Sequence, residues 1–103
     1  MNNRATPNLL ELKMVDHSFR HKLNRIQKQE QFKRSNYHRF KDLTKREVEI
    51  VLLLANDLNN PQIAEMLFIS RYTVEQHRKN INRKLDVNSF AQLYQYALAF
   101  DLI

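Results

Sequence analysis

A chain of 103 residues without a single glycine is barred from much of the usual fold repertoire. Phosphate-binding loops and the dinucleotide fingerprint both need glycine. The tight turns of β-hairpins favour it as well. Prolines stand only at Pro7 and Pro61, so long helices are permitted. Cysteine is also absent, which removes disulfide frameworks and thiol chemistry. No apolar run approaches the thickness of a bilayer, and the N-terminus shows no signal peptide. These facts predict a soluble, cytoplasmic, all-α protein with one modest domain and no membrane partner.

The net charge of +6 is unevenly placed. Residues 1–42 hold ten Lys and Arg against four Asp and Glu, whereas residues 43–103 hold seven of each. Five of those later seven cations (Arg71, Arg78, Lys79, Arg83, Lys84) fall between Ser70 and Leu85. That stretch reads as a helix with two unlike faces. Val74, Ile81 and Leu85 form an apolar stripe, while Tyr72, Gln76, Lys79 and Arg83 fall on the opposite side. Long polar and cationic side chains of this kind read base edges and neutralise phosphates. The helix is therefore expected to enter the major groove of DNA.

The remaining chain supplies a scaffold. A helix is predicted from about Asn8 to Arg34, where Leu12, Phe19, Leu23 and Ile26 make a narrow seam interrupted by Asp16 and Glu30. Such a seam either docks on the rest of the chain or pairs with a second copy. His17 and His21 have a zinc-compatible spacing, but no third ligand accompanies them, so no metal or cofactor is expected. Ser35 to Lys41 reads as a linker anchored by Tyr37 and Phe40. Thr44 with Glu47 is a capping box that opens the next helix, with Ile50, Val51, Leu54 and Leu58 facing the core. Val48 and Leu52 point elsewhere and offer a dock for the N-terminal helix. Asn60 before Pro61 signals a short helix to Leu67, with Ala64 as the small residue at a helix crossing. Ser70 caps the groove helix, and Ser89 with Gln92 makes a third capping box. The last helix, Phe90 to about Phe100, has two stripes: Leu93, Tyr96, Ala97 and Phe100 for the core, and Ala91, Tyr94 and Leu98 for a partner.

The run Leu43-Thr44-Lys45-Arg46-Glu47, followed in register by Ile63-Ala64, Leu67-Phe68-Ile69-Ser70, Thr73-Val74, His77-Arg78, Asn80-Ile81, Lys84-Leu85 and Val87, resembles the LuxR-type (GerE- or FixJ-type) helix-turn-helix domain. The resemblance covers residues 43–103. It implies a four-helix domain of a bacterial transcription regulator, here preceded by a long amphipathic helix in residues 1–42. It further implies dimers through the last helix, with RNA polymerase as a further partner. By position, Glu75, Gln76 and Lys79 would approach bases, and Thr73, His77 and Asn80 would be backbone or rim contacts. Asp57, Asp86 and Asp101 stand where the family usually has glycine.

Arg71, Arg83 and Lys84 are expected on phosphates, as is the Tyr72 hydroxyl. Arg78 falls nearer the buried side and is expected to pair with an acid such as Glu47. The rival reading is an accessory or protein-interaction module of a longer signalling regulator that binds DNA only weakly. Region 4 of a sigma factor shares the Leu-Thr-x-Arg-Glu opening but fits the pattern from His77 to Leu85 less well. An enzyme is not expected, because no nucleophile–base pair or metal cluster is present.

Overall fold

The computed structural model describes residues 9–103, with side chains from His17 onward. The expected loose terminus at residues 1–7 and the seam side chains of Leu12 and Asp16 lie outside the described residues. Five helices follow one another: α1 (Leu9–Phe40), α2 (Lys45–Ala55), α3 (Asn60–Leu67), α4 (Arg71–Leu85) and α5 (Phe90–Ala99), with no strand among the described residues. The all-α expectation holds.

One core joins α2 to α5. Ile50, Val51 and Leu54 from α2 meet Ile63 and Ala64 from α3, Val74, Ile81 and Leu85 from α4, and Leu93, Tyr96 and Ala97 from α5. Apart from Ile63 and Ala64, these are the apolar stripes read from helical spacing. Leu58 is half-buried at the edge of this core. Ala64 is buried where α3 lies against α4, so the two axes can approach closely.

The region read as a linker is helical instead, because α1 runs on to Phe40. Nothing in Ser35–Lys41 breaks a helix, and Phe32, Asn36 and Phe40 recur at +4 to form a docking face. The Phe32 ring meets Tyr96 edge-on at 4.9 Å, and Phe40 stacks on Phe100 at 4.0 Å. The Tyr96 hydroxyl shares its one proton between the Leu85 carbonyl (3.0 Å) and Asn36 Oδ1 (3.2 Å), which ties α1, α4 and α5 together. Burial pushes the Tyr96 phenol above its ordinary pKa. The dock of α1 is therefore α5 and α4, not the Val48–Leu52 pair of α2. The N-terminal half of α1 extends past this contact and makes the molecule 64 Å long but only 27 Å wide.

The helix starts follow the sequence signals with two corrections. The Thr44–Glu47 capping box is complete. For α3 the cap is Asn59, not Asn60: Asn59 Oδ1 accepts from the Gln62 N–H, and Gln62 Oε1 accepts from the Asn59 N–H. Gln62, three residues on, completes a box that only Asn59 can form. At α5 only half a box forms, because Gln92 Oε1 accepts from the Asn88 N–H rather than from Ser89.

The helix ends show what a chain without glycine does at positions that favour it. Asp57, Phe68, Asp86 and Asp101 have φ of 67°, 57°, 54° and 59°. At each, the N–H of the following residue bonds five positions back: Leu58 to Leu53, Ile69 to Ala64, Val87 to Asn82 and Leu102 to Ala97. This is the Schellman closure, and the apolar residue after each left-handed position tucks against the core. Aspartate tolerates that conformation. Phe68 has no such excuse, and its ring is 94% exposed. Phe68→Gly should therefore stabilise the domain by about 1 kcal/mol, the left-handed cost less the entropy glycine adds to the unfolded chain. Thermal melting checks this: a rise of a few degrees is expected, and a fall would contradict it.

Candidate nucleic-acid interface

Ser70 starts α4 by accepting the Thr73 N–H at 3.0 Å, and the two hydroxyls lie 2.9 Å apart. The Thr73 hydroxyl thus already has a partner within the first turn. Val74, Ile81 and Leu85 are fully buried, which fixes the rotation of the helix about its axis. Arg71, Tyr72, Glu75, Lys79, Asn80 and Arg83 are then exposed, and Gln76 is half-buried. Tyr72, Gln76, Lys79 and Arg83 share the outward face, as helical spacing predicts. Among the described residues, Arg71, Lys79 and Arg83 form no ion pair; Arg83 makes only a long 3.4 Å bond to Asn80 Oδ1. This face is free to meet an anionic partner.

Two cations behave otherwise than their sequence positions suggested. Lys84, expected on phosphate, donates from Nζ to Glu47 Oε1 at 2.6 Å, and the Glu47 side chain is almost wholly buried. Arg78, expected to pair with Glu47, instead donates to Asn60 Oδ1 at 2.8 Å. Both flank the apolar stripe of α4, on opposite sides. Lys84 reaches α2 and Arg78 reaches the start of α3, so these two side chains fasten α4 to the scaffold. His77 is half-buried beside them.

Glu47 is the hub of this fastening. Burial acts to raise its pKa, but the hydrogen bond from Lys84, the Thr44 N–H, the Lys84 charge and the Thr44 hydroxyl outweigh it, so the carboxyl titrates below its ordinary 4.5. The same oxygen that closes the α2 cap receives Lys84. The sequence marked Glu47 as a capping residue and as an acid for Arg78, not for Lys84. Its link to Lys84 spans 37 positions and left no local signal.

On α5, Ala91 and Leu98 are exposed and Tyr94 is half-buried, with the Tyr94 ring 5.7 Å from Phe90. The stripe assigned to a partner therefore stands outside the core.

Comparison with known proteins places this geometry. The family model described as bacterial regulatory proteins, luxR family (GerE), matches residues 41–97, more than half of the chain. The chain belongs to this family of DNA-binding, helix-turn-helix transcription regulators. It is similar to the oxygen regulatory protein NreC of Staphylococcus haemolyticus (strain JCSC1435), with 48% identity over 64 residues, 62% of this chain and 30% of the relative. It also resembles NreC of Staphylococcus carnosus (strain TM300), at 45% over the same shares, and of Staphylococcus aureus (strain USA300), at 47%. The matched part thus spans less than a third of these relatives. No helix among the described residues is long and apolar enough to cross a membrane.

Proposed function

We propose that this chain binds double-stranded DNA sequence-specifically, with α4 in the major groove, as the output part of a cytoplasmic transcription regulator. Residues 43–103 form the DNA-binding unit, and residues 1–42 are its helical extension. Gln76 and Lys79 read base edges, with Glu75 beside them to accept from a cytosine amino group or to exclude wrong sequences. Arg71, Tyr72 and Arg83 hold phosphates, and Thr73 and Asn80 line the rim. Lys84 is withdrawn from the phosphate set, because its ammonium is engaged by Glu47. The protein acts as a homodimer through Ala91, Tyr94 and Leu98, and RNA polymerase is a further partner.

One observation carries this reading. The polar face of α4 is largely exposed and, among the described residues, Arg71, Lys79 and Arg83 on it pair with no acid, while its opposite face is locked by three fully buried residues and two cross-helix bonds. A helix held so firmly presents its outer side chains in a fixed geometry, as base readout requires.

Lys79→Ala tests it. Affinity for the preferred duplex should fall about tenfold, within the range for one good base contact. Preference among bases at the contacted position should relax, and the helical circular dichroism should not change. Equal affinity for the same site would remove Lys79 from the reading set.

A further inference from the structure

Among the described residues, three of the four left-handed positions hold aspartate, which tolerates that backbone. The fourth holds Phe68, at the turn between α3 and α4, with φ of 57° and ψ of 43°. A bulky aromatic residue is the costly choice at such a position. The fold itself does not offset that cost. The Phe68 ring is 94% exposed, more than any other large apolar side chain among the described residues. It also packs on no other described ring. Its neighbour Ile69 tucks against the core, so the turn aims Phe68 outward.

The place of the turn indicates what the ring meets. Ser70 caps α4, and Arg71 and Tyr72 begin the exposed face that is read here as meeting DNA. Two Cα–Cα steps of about 3.8 Å leave Phe68 within about 8 Å of that cap. The major groove is about 12 Å wide. With the first turn of α4 inside it, a side chain so close to the helix start stands at the groove wall. That wall is not wholly polar. It carries deoxyribose C–H groups and, at the base edges, thymine methyls, against which phenylalanine packs.

We propose that Phe68 is a DNA-contacting residue whose ring packs on the apolar C–H surface of a nucleotide, a thymine methyl or a deoxyribose, beside the groove that α4 enters. The proposal rests on the DNA-binding reading above and adds an apolar contact to its polar and cationic set. The left-handed backbone is then the means of holding the ring out towards the duplex. Stability is given up in the free protein and regained in the complex. A substitution that relieves Phe68 should therefore stabilise the free domain and weaken its hold on DNA. Because the contact neutralises no phosphate, the loss should be the same at low and high salt.

Phe68→Asn tests this, since asparagine tolerates the left-handed backbone, adds no charge and removes the ring. The full chain and the variant are compared by thermal melting, and by binding to the preferred duplex at two salt concentrations well below either melt. The expected result is an equal or higher melting temperature, with affinity about five- to tenfold lower at both salts. Phe68→Gly repeats the comparison with a second residue suited to the turn. Thymines of the duplex are then replaced by uracil one at a time, which removes only the methyl. A position where uracil weakens the native chain but not Phe68→Asn assigns the contact to a methyl, and the absence of such a position assigns it to deoxyribose. Native affinity in both variants overturns the proposal. Native DNA affinity with loss of binding to RNA polymerase assigns the ring to a protein partner and also overturns it. If the native chain itself binds no duplex, the DNA-binding reading fails, and this contact with it.

Discussion

Val74→Asp is expected to unfold the domain. Val74 is fully buried in the core that α2, α3, α4 and α5 share. The substitution removes about 1.5–3 kcal/mol of apolar burial. It also places a carboxylate in the apolar core, which costs several kcal/mol more whether the group stays charged or takes up a proton. A domain of this size holds about 5–15 kcal/mol in all. Loss of helical circular dichroism and of the cooperative melt at neutral pH is the outcome to look for. A normal melting curve would sink the core assignment, and with it the rotation of α4 that exposes Lys79.

Glu47→Ala should be the most damaging change at the scaffold side of α4. It removes the reciprocal cap at Thr44, worth about 1 kcal/mol. It also strands the Lys84 ammonium, which is only partly able to swing into water. Breaking a buried pair on one side costs about 3–5 kcal/mol, and the partial exposure of Lys84 puts the combined loss at about 3 kcal/mol by denaturant unfolding. Glu47→Gln should lose less, because an amide oxygen can still accept from the Thr44 N–H. The pH dependence has a definite sign. The folded carboxyl titrates below its unfolded value, so its stabilisation is complete above about pH 4.5 and fades as the pH falls through the lowered folded value. Glu47→Gln should flatten that part of the acid unfolding curve. A loss under 1 kcal/mol for Glu47→Ala, with an unchanged acid limb, would show that the pair does not fasten α4.

Most of the scaffold could be read from the chain because its signals are local. Thr44 with Glu47, Ser70 before the basic helix, and the spacing of Val74, Ile81 and Leu85 each depend on neighbours within two turns. The outward face of α4 follows from the same spacing. The misreadings depend on contacts far apart in sequence. Which of Arg78 and Lys84 meets Glu47 depends on the side of α4 on which α2 lies, and the helical wheel of α4 alone does not contain that. Ser35–Lys41 looked like a linker because its polar residues hid the Phe32–Asn36–Phe40 repeat, whose purpose is visible only once Tyr96 and Phe100 are opposite it. Asn60 has the sequence mark of a cap in Pro61 after it, but Asn59 takes that place because it alone has Gln62 three residues on. Asp57, Asp86 and Asp101, which stand where the resemblance leads one to expect glycine, take the left-handed conformation all the same, and Phe68 joins them.

The central claim, that α4 reads DNA sequence, is met most directly by selecting bound duplexes from a random pool and titrating the winner with salt. The expected result is an enriched palindrome whose half-sites lie about one helical turn apart, or that spacing offset by a short spacer, with affinity falling steeply as salt rises. Salt-dependent binding with no enriched sequence would contradict the claim and leave α4 as a sequence-blind cationic surface.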